Sequence, residues 1–175
     1  MRGLAPKASR FWPLLLIVLV GDLATKAIAE QRLLPPGTPR RILGDFFRLT
    51  LTHNDGGALG IPTGRVGFLA LIVVSAFLIV GLGLFYRRLP PDSSTPAVGL
   101  GLLIGGAAGN LWSRLMVEQG VVDFIDIGLG SVRFWTFNVA DTGITLGAAL
   151  LAWWFWRTEG EKPEDAKETE QEVHG

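Results

Sequence analysis

Val66-Gly-Phe-Leu-Ala-Leu-Ile-Val-Val-Ser-Ala-Phe-Leu-Ile-Val-Gly-Leu-Gly-Leu-Phe-Tyr86 contains no charged residue. It has the length, roughly 20 apolar residues, that a helix needs to cross hydrocarbon. Arg87 and Arg88 close it, where cytoplasmic anchors are expected. A hydrophobic content of 49% would also suit a soluble domain. The clustering of that content decides for a membrane protein, because three other blocks of similar length flank this one.

The first block covers residues 11–29. A basic start, an apolar run and Ala27-Ile28-Ala29 also outline a cleavable signal peptide. Asp22 and Lys26 argue for a retained helix, since they interrupt the half of the run that should be clean. At i and i+4 the two charges can pair, with Thr25 on the same face. The third block covers 97–114, where Gly101, Gly105 and Gly109 recur every four residues. They share one helix face, which lets a neighbouring backbone come close. The fourth covers 135–156 and has aromatic residues at both ends, as an interfacial belt requires.

The connections differ in character. Within 30–65, Pro35, Pro36, Gly37 and Pro39 break any helix. From Ile42 to His53, Phe47, Leu49 and Leu51 alternate with Arg48, Thr50 and Thr52, the period of a strand. The connection 115–134 carries Asp123 and Asp126. Residues 158–175 hold seven of the 16 acidic residues and no apolar run, which predicts a disordered acidic tail on the cytoplasmic side. The expected architecture is an all-α membrane protein of four transmembrane helices, with a small extracytoplasmic β-sheet at the membrane surface. Residues 1–157 form the single domain.

Composition narrows the chemistry. The absence of cysteine excludes disulfides, thiolate metal sites and a cysteine nucleophile. His53 and His174 are too few and too distant for a metal cluster, so no metal and no cofactor are expected. The arginines are scattered, which speaks against nucleic-acid binding. Placed on an in/out/in/out path, Asp22, Lys26, Asn110, Arg114, Asn138 and Asp141 fall at one membrane face, together with Asn54 and Asp123 from the connections. Random snorkelling would scatter them over both faces. Two carboxylates held about 3 Å apart cannot both ionise easily and share a proton. One then acts as base on a water and the other as acid toward a carbonyl oxygen. Spacing alone does not decide whether Asp123 or Asp126 partners Asp141.

Five motifs occur in register: Asp22-Leu-Ala-Thr-Lys26, Asn54-Asp-Gly-Gly-Ala-Leu-Gly60, Gly105-Gly-Ala-Ala-Gly-Asn110 with Arg114, Gly120-Val-Val-Asp-Phe-Ile-Asp126, and Phe137-Asn-Val-Ala-Asp141. Each alone is weak, but the set resembles the lipoprotein signal peptidases (signal peptidase II) over residues 11 to about 157. The resemblance implies an aspartic endopeptidase of the bacterial inner membrane, working as a monomer in membrane lipid. Its partners would be prolipoproteins, cut just before a cysteine that already bears diacylglycerol. It implies that Asp123, rather than Asp126, forms the catalytic pair with Asp141. It places Asn54, Gly56, Asn110, Arg114 and Asn138 at substrate-contacting positions, and Asp22 and Lys26 at supporting ones. Both termini would be cytoplasmic and the site extracytoplasmic. Ser113 departs from the aspartate usual before the arginine, and Leu59 from a frequent aromatic. A small transporter using the Asp, Lys and Arg groups is the alternative. It is disfavoured because no internal repeat is visible and the charges sit at one face rather than mid-bilayer.

Overall fold

The computed structural model describes residues 5–54, 64–117 and 119–160. Among the described residues there are four helices: α1 (Pro6–Arg32), α2 (Gly64–Arg88), α3 (Ser94–Met116) and α4 (Val139–Gly160). Between α1 and α2 run β1 (Arg40–Leu43) and β2 (Phe47–Asn54), and between α3 and α4 run β3 (Val121–Leu129) and β4 (Val132–Arg133). Helices α1, α2 and α4 are each long and apolar enough to cross a membrane. Helix α3 is the central one and packs against the other three.

The predicted glycine stripe is the contact between α3 and α1. A Cβ on Gly101 would stand 2.8 Å from the Phe11 carbonyl oxygen, and one on Gly105 would stand 2.7 Å from that of Leu15. Gly109 faces the Asp22 carboxylate instead. Gly106 turns toward α4 and lies against the Ala140 carbonyl. Where lipid supplies no hydrophobic drive between helices, close backbone approach of this kind holds them together. Phe11, Ala97, Leu100, Ile104 and Leu151 fill the core beside the stripe.

Each strand forms antiparallel pairs with its neighbours, in the order β1-β2-β3-β4. The alternation over residues 47–52 therefore marks a real strand, but the sheet is larger than that stretch suggests. Residues 121–129, read from sequence as part of a connection, form its central strand β3. Leu49 pairs with Ile125 and Thr52 with Asp123, so β2 takes three steps against two on β3. This bulge turns both Thr50 and Leu51 inward. Leu51 joins Val122 and Phe124 in packing onto Ala29 and Leu33 at the end of α1.

The fourth helix begins at Val139 rather than at 135. Phe137 is held in an isolated bridge to Ile125: its N–H donates to the Ile125 carbonyl at 3.0 Å, and Ile125 N–H donates back at 2.8 Å. The chain cannot be helical while it serves β3. Gly56 and Leu59 lie outside the described residues, as does the acidic tail beyond residue 160.

Candidate active site

At the sheet end of the bundle lies a cavity of about 360 Å³. Asp123 and Asp141 both line it, as do Asn54, Asn110 and Arg114. Helix α2 contributes Ser75 and Leu78, and α4 adds Ile144 and Thr145.

Asp141 owes its position to the start of α4. Asn138 precedes the first helical residue, and its Oδ1 accepts from Asp141 N–H at 2.9 Å. Asp141 Oδ2 accepts from Asn138 N–H at 3.2 Å. This is the reciprocal capping arrangement, with aspartate in the place more often taken by glutamate. Asp141 Oδ1 accepts from Asn110 Nδ2 at 2.7 Å. Asp123 comes from β3, and the Phe137–Ile125 bridge brings it beside α4. Its Oδ1 accepts from Asn138 Nδ2 at 2.6 Å and its Oδ2 from Asn54 Nδ2 at 3.3 Å. Asn138, fully buried, thus touches both carboxylates.

Burial raises Asp123 to about 7, and the nearby charge of Asp141 adds to the effect. The amides of Asn138 and Asn54 and the charge of Lys26 pull the other way and are outweighed.

Behind the cavity, Asp22 and Lys26 pair at 2.7 Å, both almost completely buried. Asp22 Oδ1 also accepts the N–H of Ala140, in the first turn of α4, at 2.9 Å. Lys26 Nζ donates to Asn110 Oδ1 at 2.9 Å and to Ser113 Oγ at 3.1 Å. Ser113 in turn donates to the Gly109 carbonyl at 3.2 Å, so the hydroxyl is satisfied on both sides. Thr25 does not join this cluster. It bonds the carbonyls of Gly21 and Asp22 in its own helix. Arg114 donates to the Asn110 carbonyl at 3.2 Å, and its buried Nε has no hydrogen-bond partner among the described residues.

Asp126 is held apart from the cavity. Arg133 Nε donates to its Oδ1 at 2.6 Å, while Thr50 Oγ1 and Arg48 Nε donate to its Oδ2 at 2.8 and 2.9 Å. Burial alone would raise its pKa, but these hydrogen bonds outweigh burial and hold the carboxyl below the usual range. The same arginines reach Asp45, which is kept low first by the Gly130 N–H. Asp126 is thus a cross-link of the sheet.

Sequence reasoning missed Ser75, although it is the one hydroxyl in the 66–86 run before Tyr86. It also missed Arg48 and Arg133, whose roles depend on strand pairing.

A four-helix membrane bundle capped by a small sheet, with two carboxylates facing one cavity at the junction, defines the class. Within that class the chain belongs to the signal peptidase (SPase) II family, whose sequence profile matches residues 14–157. It is 42% identical over 140 residues to the lipoprotein signal peptidase of Mycobacterium tuberculosis, covering 77% of this chain and 65% of that one. The match to the Moorella thermoacetica lipoprotein signal peptidase is 36% over 154 residues, with 87% and 96% covered. The fold is similar to that of a bacterial membrane enzyme solved by the in meso method at 2.3 Å resolution. That likeness has a TM-score of 0.77 at 26% identity and covers 86% of this chain and 90% of that one. Family and apolar helices together make this a bacterial membrane protein.

Proposed function

We propose that this chain is an aspartic endopeptidase of the bacterial inner membrane. It removes signal peptides from prolipoproteins, cutting before a cysteine that already bears diacylglycerol. The observation that carries the reading is the placement of Asp123 and Asp141 on one cavity with Asn138 bonded to both. Membership of the family supports the substrate class.

The chemistry needs one proton on the pair. The ionised carboxylate removes a proton from water as its oxygen adds to the scissile carbonyl carbon. The protonated carboxyl gives its proton to the carbonyl oxygen, and a neutral tetrahedral diol forms. The C–N bond then breaks. The leaving nitrogen takes the proton gained from water, and a diol hydroxyl returns its proton to the other carboxylate. Acid–base assistance of this kind contributes about 10²- to 10⁴-fold. Arg114, with donors facing the cavity, holds a substrate carbonyl.

Substrate enters from the lipid between α2 and α4. The two helices touch through Phe85 and Phe155 at the end far from the site, with ring centroids 6.1 Å apart. Near the site the cavity separates them. Arg10, Arg87, Arg88 and Arg157 lie toward that far end, which supports cytoplasmic termini and an extracytoplasmic site. The enzyme works as a monomer, and residues 1–157 are its folded unit.

The test is cleavage of a diacylglyceryl-modified prolipoprotein by purified protein in lipid. Asp123→Asn and Asp141→Asn should each abolish cleavage while the protein still accumulates. Full activity in either variant would sink the pair.

A further inference from the structure

We infer that Lys26 is a positioning residue. By fixing the amide of Asn110, it keeps Asp141 as the ionised base and leaves the pair's proton on Asp123. The inference deepens the proposed function and rests on it only for its kinetic readout.

An ammonium can only donate. The Asn110 atom 2.9 Å from Lys26 Nζ must therefore be the carbonyl oxygen Oδ1, and the amide nitrogen must face the other way. Facing the other way is Asp141 Oδ1, at 2.7 Å. The Asn138 amide is oriented by the same logic. Its Oδ1 receives a backbone N–H, that of Asp141, so its Nδ2 must face Asp123 and Asn110 Oδ1. Both amide orientations follow from donor-only neighbours.

The consequence for the two carboxylates is unequal. Asp141 receives an N–H on each oxygen, one from Asn110 and one from the backbone of Asn138. A proton added to either oxygen competes with a donor already in place. Among the described residues Asp123 receives a short bond on Oδ1, at 2.6 Å, while Oδ2 is held by Asn54 at 3.3 Å. The looser oxygen, Oδ2 of Asp123, is where the shared proton resides. Asp141 is then the group that takes a proton from water, and Asp123 the group that gives one to the carbonyl oxygen.

The charges around the pair agree. Helix α1 supplies Asp22 and Lys26, α3 supplies Arg114, β3 supplies Asp123 and α4 supplies Asp141, while α2 lines the cavity with Ser75 and Leu78. Among the described residues two cations face three carboxylates, so this set is neutral when the pair holds one proton. His53, 3.5 Å from Glu30, is the next titratable pair along α1 and β2.

The proposal is tested by two readouts. In the first, the infrared C=O band of protonated carboxyl groups is recorded near neutral pH in the purified protein. Asp123→Asn should remove the part of this band that wild type shows, whether or not the protein cleaves anything. A band left unchanged in Asp123→Asn overturns the assignment. The second is the pH dependence of kcat/KM. Lys26→Met should move the acidic limb to higher pH by about one unit, a tenfold weaker hold on the ionised base. Lys26→Arg, which still donates to Asn110, should return the limb toward wild type. If Lys26→Met does not accumulate, Asn110→Ser should show the same displacement, since it removes the donor to Asp141. A profile of either variant that overlays wild type after scaling overturns the role of Lys26. Absence of cleavage by wild type would count against the proposed function, and the infrared result would still stand or fall by itself.

Discussion

Asn138 and Asp141 hold each other twice: each donates its backbone N–H to the other's side chain, at 3.2 and 2.9 Å. The start of α4 is therefore built from the same atoms to which the proposed chemistry is assigned. Asn138→Ser separates the two duties. Serine keeps a capping oxygen but loses the amide donor to Asp123. Stability should fall by about 1–3 kcal/mol, because the buried amide also serves Asn110 Oδ1 and the Val122 carbonyl, while cleavage per folded molecule falls at least about tenfold. Thermal unfolding in micelles and the cleavage assay check the two effects.

The raised pKa of Asp123 has a sign that can be worked out. Between 3.8 and about 7 the folded protein holds a proton that the unfolded chain has lost. Stability should therefore fall as pH rises through that window. Asp123→Asn should flatten that part of the slope, as read by melting temperature against pH. Cleavage should also decline above about pH 7, as the pair loses its one proton.

Gly106→Ala tests the packing. The added methyl would meet the Ala140 carbonyl, in the turn of α4 next to Asp141. Overpacking costs about 1–3 kcal/mol. Both melting temperature and cleavage should drop, and cleavage should drop further because Asp141 moves with α4.

Asp126→Asn should behave unlike Asp123→Asn. It leaves Arg48 and Arg133 facing an uncharged amide and weakens the sheet by about 1–3 kcal/mol. Cleavage per folded molecule should remain within about tenfold of wild type. Loss equal to that of Asp123→Asn would overturn the assignment of Asp123.

Much of this was legible from residue order, for physical reasons. Hydrocarbon demands long apolar runs, so the helices announced themselves. The glycine stripe at 101, 105 and 109 named a packing face, though not its partner. The convergence of polar groups at one end followed from counting spans. Strand β3 was not legible, because Val-Val-Asp-Phe-Ile-Asp has no alternation between polar and apolar residues. Its order comes from pairing on both sides. That Asp126 lies apart from the cavity while Asp123 lines it was hidden for the same cause: it depends on which arginines β2 and β4 bring alongside, and pairing is non-local.

Ser113→Asp probes the one departure from the family pattern. The serine oxygen lies 3.1 Å from Lys26 Nζ, so a carboxylate there would meet a cation already in place. Folding and cleavage should persist, with the acidic limb of the pH profile displaced upward by the added negative charge. Dead enzyme at wild-type protein levels would mean that the cluster tolerates no further anion.

Helix α2 has no fully buried residue, and Ile79, Leu82, Phe85 and Tyr86, toward its far end, are only half-buried against the core. Protein packing anchors its far end, and lipid faces much of the rest. Bilayer thickness then becomes a control on turnover: a membrane mismatched to the Val66–Tyr86 run would swing one wall of the cavity while leaving Asp123 and Asp141 where they are. Vesicles of graded acyl-chain length should change the rate of substrate entry and leave the pH profile of the reaction unmoved.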